Sequence, residues 1–139
     1  MGGGVIPFII AVLIIGVLVF IAILLTNKKP YHFNKDDYQV DFLQIQNKLS
    51  KDNPMSYNIV VVEADKLLDK ALCEMGIQGK TMGDRLKRSG SRFTQLNSVW
   101  YAHKLRNQIA HEHGFQLEYK QANHALETYK QALQDLGAI

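Results

Sequence analysis

A chain of 139 residues has room for one globular domain, and its single cysteine, Cys73, excludes an internal disulfide framework and fits a reducing compartment. The 16 Lys and Arg outnumber the 13 Asp and Glu enough for a formal net charge of +3, a modest excess compatible with a phosphate-bearing partner or anionic lipid and diagnostic of neither. Internal repeats, low-complexity tracts and glycine-rich phosphate loops are absent from the sequence, and no cluster offers three or four ligands at metal-binding spacing, so neither a metal nor another cofactor is expected.

The first element is the run Val5 to Leu25, VIPFIIAVLIIGVLVFIAILL, 21 residues without a charged or strongly polar side chain. At about 1.5 Å per residue it spans a hydrocarbon core of roughly 30 Å, which predicts a transmembrane helix through residues 5–25. A cleaved signal peptide would need a basic start, a shorter apolar stretch and a small-residue cleavage site, and none is present. Pro7 falls in the first turn, where its missing N–H costs little, and Gly16 is of the small type that membrane helices tolerate. The opening MGGG lacks the Ser or Thr of a myristoylation signal, because Ile6 stands at the sixth position. Positive charge follows the helix as Lys28 and Lys29, so the expected topology is single-pass with the N-terminus outside. Residues 1–30 then form an anchor with a basic flank, and residues 31–139 a cytoplasmic helical domain.

Beyond Pro30, the stretch DDYQVDFLQIQNKL places Tyr38, Phe42, Ile45 and Leu49 at steps of three and four, with acids in the first turn, and predicts an amphipathic helix. DNPMSY restarts the chain, with Asn53 as cap and Pro54 at the first helical position. Val60, Ala64, Leu67, Leu68, Ala71, Leu72 and Met75 form one stripe, closed by Gly76. IVVV at 59–62 suits a buried strand by composition, but the stripe runs through it and favours helix. Cys73 is expected to pack between helices.

Residues 76–92 hold four glycines and five basic residues, Lys80, Arg85, Lys87, Arg88 and Arg92. At most a short helix around Met82 to Lys87 fits there, and the plainest reading is a solvated, mobile connector or a patch resting on anionic lipid. Leu96, Val99, Trp100, His103, Asn107 and Ala110 predict a third long helix ending near Gly114. Ala122, Ala125, Leu126, Tyr129, Leu133 and Leu136 predict a last one, stopped by Gly137. The expected fold is therefore all-α, a transmembrane helix followed by an antiparallel bundle of four to five helices.

On the third helix, His103, Asn107 and His111 are four apart and share a face, while Arg106 points to a neighbouring stripe. The segment RNQIAH, Arg106-Asn107-x-x-x-His111, resembles the signature of HEPN domains: an arginine, a polar residue, and a histidine after four to six intervening positions. GKTMGDRL, LRNQIAHEHGFQL and the terminal ANHALETYKQALQDLG are also similar to bacterial members, so that the resemblance covers roughly residues 36–137.

That resemblance implies a metal-independent endoribonuclease whose site forms where two motif copies meet in a homodimer. Its chemistry needs a base for the 2′-hydroxyl, an acid for the departing 5′-oxygen and a cation for the charge on phosphorus. By the same resemblance, Arg106 would stabilise the phosphate, Asn107 would orient a partner or substrate, and His111 would handle protons. His113 also satisfies the spacing; His111 is favoured because it stacks on Asn107 if the helix continues, whereas His113 adjoins Gly114. A single chain supplies one well-placed motif histidine, and a dimer supplies two. Lys80, Arg85, Lys87, Arg88 and Arg92 would track RNA backbone, with Trp100 or Tyr101 as stacking surfaces.

Plainer readings stand beside these. His111 as a helix-end histidine serves as a cap or solvated residue, His103 as a surface or interface histidine, Trp100 as core or dimer contact, and His32 and His124 as surface residues. Three functions from different classes remain: a membrane-anchored ribonuclease acting on cytoplasmic RNA in stress or defence against foreign nucleic acid; a non-catalytic module binding a nucleotide, RNA or a partner protein; and a helical membrane scaffold. No residue pattern specifies a neutralising partner protein.

Overall fold

The computed structural model describes residues 4–26 and 31–139. Lys28 and Lys29, on which the expected orientation rests, lie outside the described residues. The chain divides into two units between Tyr31 and His32. All regular structure among the described residues is helical.

The first unit contains α1, Val5–Thr26. Its large apolar side chains from Val5 to Ile23 are exposed, and the helix is long and apolar enough to cross a membrane. A helix satisfies its own backbone N–H and C=O groups along the ladder, as spanning hydrocarbon demands.

The second unit is a helical bundle of α2 (Lys35–Lys48), α3 (Met55–Glu74), the short α4 (Met82–Ser89), α5 (Leu96–His111) and α6 (Tyr119–Leu136). α3 is its axis, packing against α2, α4, α5 and α6, while α5 also packs on α6. The reason lies in its sequence: Val60, Val61, Ala64, Leu68, Ala71 and Leu72 are all fully buried, and these positions wrap more than one stripe of the helix. The β-branched run at 59–62 is helical because tertiary burial outweighs the small helix-propensity deficit of valine. Tyr38, Phe42 and Ile45 of α2, Val99 and Leu105 of α5, and Leu126, Tyr129 and Leu133 of α6 complete the core.

The ends of α3 follow the expected punctuation. Pro54 has helical dihedral angles and Asn53 Oδ1 accepts the Met55 N–H at 3.2 Å. Gly76 turns the chain out with φ +74°, its N–H donating to Cys73 O and the Ile77 N–H to Leu72 O, a Schellman closure. Cys73 does not pack between helices; it lies on the exposed side of the last turn of α3.

The basic connector is also more structured than a mobile loop. Thr81 and Asp84 form a reciprocal capping box: the Asp84 N–H donates to Thr81 Oγ1 at 3.1 Å, and the Thr81 N–H to Asp84 Oδ2 at 3.2 Å. Met82, Leu86 and Ser89 are buried beneath α4, and a 3₁₀ turn at Gly90–Arg92 leads to the next segment. α5 ends at His111, and the expected stop at Gly114 falls in the following turn, with φ +78°.

Candidate functional site

A cleft of about 720 Å³ opens between α3, α4 and α5. Its walls are set by an ion pair. The Arg85 guanidinium of α4 grips the Asp69 carboxylate of α3 through two contacts, Nε to Oδ1 at 2.6 Å and Nη2 to Oδ2 at 2.8 Å, and donates from Nη1 to the Gly79 carbonyl. These Asp69 hydrogen bonds hold the Arg85 side chain in its charged form, above its ordinary pKa. Gly79 itself allows the approach, since a Cβ there would come within 2.8 Å of Asp84 Cβ and 2.9 Å of the Arg85 backbone nitrogen.

At the base of the cleft lies Asp65, on α3 and 3% exposed. Its Oδ1 accepts the Tyr129 hydroxyl of α6 at 2.9 Å and meets His103 Nδ1 of α5 at 2.8 Å. Its Oδ2 is 3.5 Å from Arg106 Nε, an ion-pair contact. A carboxylate offers only lone pairs, so Nδ1 of His103 carries the hydrogen and donates it. Burial raises the Tyr129 hydroxyl well above its ordinary pKa, and the Asp65 charge and hydrogen bond add to this, so the phenol remains a donor.

With Nδ1 turned to Asp65, Nε2 is the other ring nitrogen of His103. It makes no hydrogen bond among the described residues, and His103 lines the cleft. A Cβ on Gly83, across in α4, would lie 3.8 Å from this nitrogen and 4.0 Å from Trp100 Cη2. Glycine at that position places no side chain against Nε2. The half-buried Trp100 meets the His103 ring edge-to-face at 6.1 Å between centroids.

The motif residues lie along the same cleft. Arg106 and Asn107 are half-buried, and Arg106 Nη1 donates to Asn107 Oδ1 at 3.2 Å. The helix does continue to position 111, so His111 is stacked beyond Asn107 on α5, exposed and lining the cleft. His113 falls in the exposed turn past the helix and does not line it. Of the basic residues, Lys80 and Lys87 line the cleft and Arg85 is committed to Asp69. Arg88 borders a separate shallow groove with Lys80, and Arg92 is half-buried in the 3₁₀ turn away from the cleft. Tyr101 is exposed and pairs loosely with His124, so the aromatic ring at the cleft is Trp100.

One expectation changes: of the surface and interface readings of His103 the surface one fails, since the ring is buried in the bundle and lines the same cleft as the motif histidine His111. Asp65 and Tyr129, not singled out from the sequence as site residues, hold His103. Cationic side chains on the cleft wall, Lys66, Lys80, Arg85, Lys87 and Arg106, outnumber the carboxylates Asp65, Asp69 and Asp84, which suits an anionic ligand. No group of three or more His, Cys, Asp and Glu among the described residues is arranged to hold a metal ion. In comparisons with known proteins, no family model, curated protein or solved structure matches this chain.

Proposed function

We propose that this chain is a membrane-anchored, metal-independent endoribonuclease of the HEPN type, acting on cytoplasmic RNA as a homodimer packed around α5. The observation that carries the reading is the sharing of one cation-rich cleft by Arg106, Asn107 and His111. Arg106 offers a fork of N–H donors to a phosphodiester, a planar match that lysine cannot reproduce. Lys80 and Lys87 add charge along a neighbouring stretch of backbone. His111, exposed at the end of α5, exchanges protons with substrate, and Asn107 orients the Arg106 side chain through the bond at 3.2 Å.

The cleavage uses the RNA's own 2′-hydroxyl. Its oxygen attacks phosphorus as a base removes the proton, the bond from phosphorus to the 5′-oxygen breaks, and an acid protonates that oxygen. The products are a 2′,3′-cyclic phosphate and a 5′-hydroxyl end. Arg106 stabilises the charge that gathers on the non-bridging oxygens.

The test is incubation of the full chain in detergent micelles with structured and single-stranded RNA in EDTA, beside Arg106→Ala and His111→Ala proteins of verified fold. Cleavage with cyclic phosphate ends by the parent, lost in both variants, is the expected result. Binding of RNA or a nucleotide without cleavage would replace the reading with that of a non-catalytic module. Loss of parent activity in EDTA would show that the chemistry needs a metal. A monomer by sedimentation at high micromolar concentration would remove the dimer from the proposal.

A further inference from the structure

We infer that His103 is the proton acceptor of this site, held in its working tautomer by Asp65 and Tyr129, so that each chain carries its own general base. The inference rests on the ribonuclease reading proposed above and adds residues that the motif does not contain.

Asp65 accepts from His103 Nδ1 at 2.8 Å and from Tyr129 at 2.9 Å, so the ring is fixed from behind by an acceptor that is itself fixed. In the neutral ring that the proposed step requires, the hydrogen on Nδ1 leaves Nε2 with its lone pair. The cleft wall facing that nitrogen is Gly83, where a side chain would begin 3.8 Å away. A buried network that served packing alone would not require an open approach to its one unpaired ring nitrogen.

Position along α5 supplies the rest. Along the axis of α5 Arg106 is about 4.5 Å and His111 about 12 Å beyond His103 in rise, on adjacent stripes of the helix, and all three side chains line the same cleft. In-line displacement at phosphorus places the entering and leaving oxygens on opposite sides, with the cation beside the equatorial oxygens. In the step proposed, Nε2 of His103 takes the 2′-hydroxyl proton as the new bond to phosphorus forms. His111, entering as the imidazolium, gives its proton to the 5′-oxygen as that bond breaks. No proton is gained or lost overall. Charge that develops on the His103 ring is met by the Asp65 carboxylate behind it.

The experiment compares the full chain in detergent micelles with His103→Ala, Arg106→Ala and Gly83→Val, on end-labelled RNA in EDTA, with circular dichroism and thermal melting to establish fold. His103→Ala is expected to lower the cleavage rate by about 100-fold or more. Added imidazole should restore part of it, a response that a merely structural loss would not give. Gly83→Val adds a branched side chain whose Cβ lies 3.8 Å from Nε2, and should abolish cleavage in a folded protein that imidazole does not rescue. If the parent cleaves and folded His103→Ala retains its rate, the assignment of His103 is overturned while the ribonuclease reading stands. Should His103→Ala fail to fold, the Gly83→Val protein decides, and retained cleavage by it overturns the assignment. A parent that cleaves no RNA overturns the ribonuclease reading, and the role of His103 with it.

Discussion

At position 65 a carboxylate occupies a place that the periodicity of α3 gives to an apolar side chain. Val61, Leu68 and Leu72 lie four before, three after and seven after it, and all three are fully buried. Burying a carboxylate without partners would cost several kcal/mol, so this one is held by hydrogen bonds from His103 and Tyr129 and by the charge of Arg106. Replacing Tyr129 with Phe removes one donor and leaves the buried oxygen with His103 alone. The expected loss is about 1–3 kcal/mol by urea denaturation, and no loss would mean that the hydroxyl does not serve Asp65 in solution. An acid inside an apolar stripe was the one signal in the sequence that could have exposed this network. Its partners are 38 and 64 residues away on other helices, and no spacing rule links positions that only packing brings together.

The helices themselves were legible because each repeats its apolar positions over several turns, and α3 and α6 bury the stripes their sequences present. α4 was less so: it is only eight residues long, and its basic residues and the glycines in and around it resemble a loop. Its stability comes from devices that periodicity does not register, the Thr81 capping box, the Arg85 to Asp69 pair and the close approach at Gly79. Gly79→Ala pushes a Cβ into the Arg85 backbone and should destabilise the domain by about 1–3 kcal/mol, measured by thermal or urea unfolding. A neutral result would mean that this loop can move away from α4 without penalty. The capping box adds a pH dependence. Hydrogen bonds from the Thr81 side chain and backbone hold the Asp84 pKa below its ordinary value, so its contribution is complete above the unfolded carboxylate range and fades as pH falls through the lower folded value. Asp84→Asn should therefore flatten the acid limb of the stability profile, and an unchanged limb would remove Asp84 as a contributor.

For the whole molecule, hydropathy divides the chain into a helix long and apolar enough to cross a membrane and a bundle with its own core. α1 carries its apolar side chains outward from Val5 to Ile23, whereas the bundle turns Val60, Leu68 and Leu133 inward. Anchoring through α1 would confine the second unit to a thin layer at the membrane and raise its encounters with ligands held there, while leaving the chemistry of the cleft to α3, α4 and α5. That separation has a measurable form. Lysine at the centre of a membrane helix costs about 2.5–3.5 kcal/mol, so Leu13→Lys with Val17→Lys should oppose insertion by about 5–7 kcal/mol. The double variant is expected to leave the membrane fraction after alkaline extraction, while the parent stays in it. Because neither substitution lies in the bundle, the released protein should retain its cooperative unfolding transition. Retention of the double variant in the membrane would show that something other than the apolar length of α1 holds the chain there, and loss of cooperative unfolding would show that the bundle depends on its anchor.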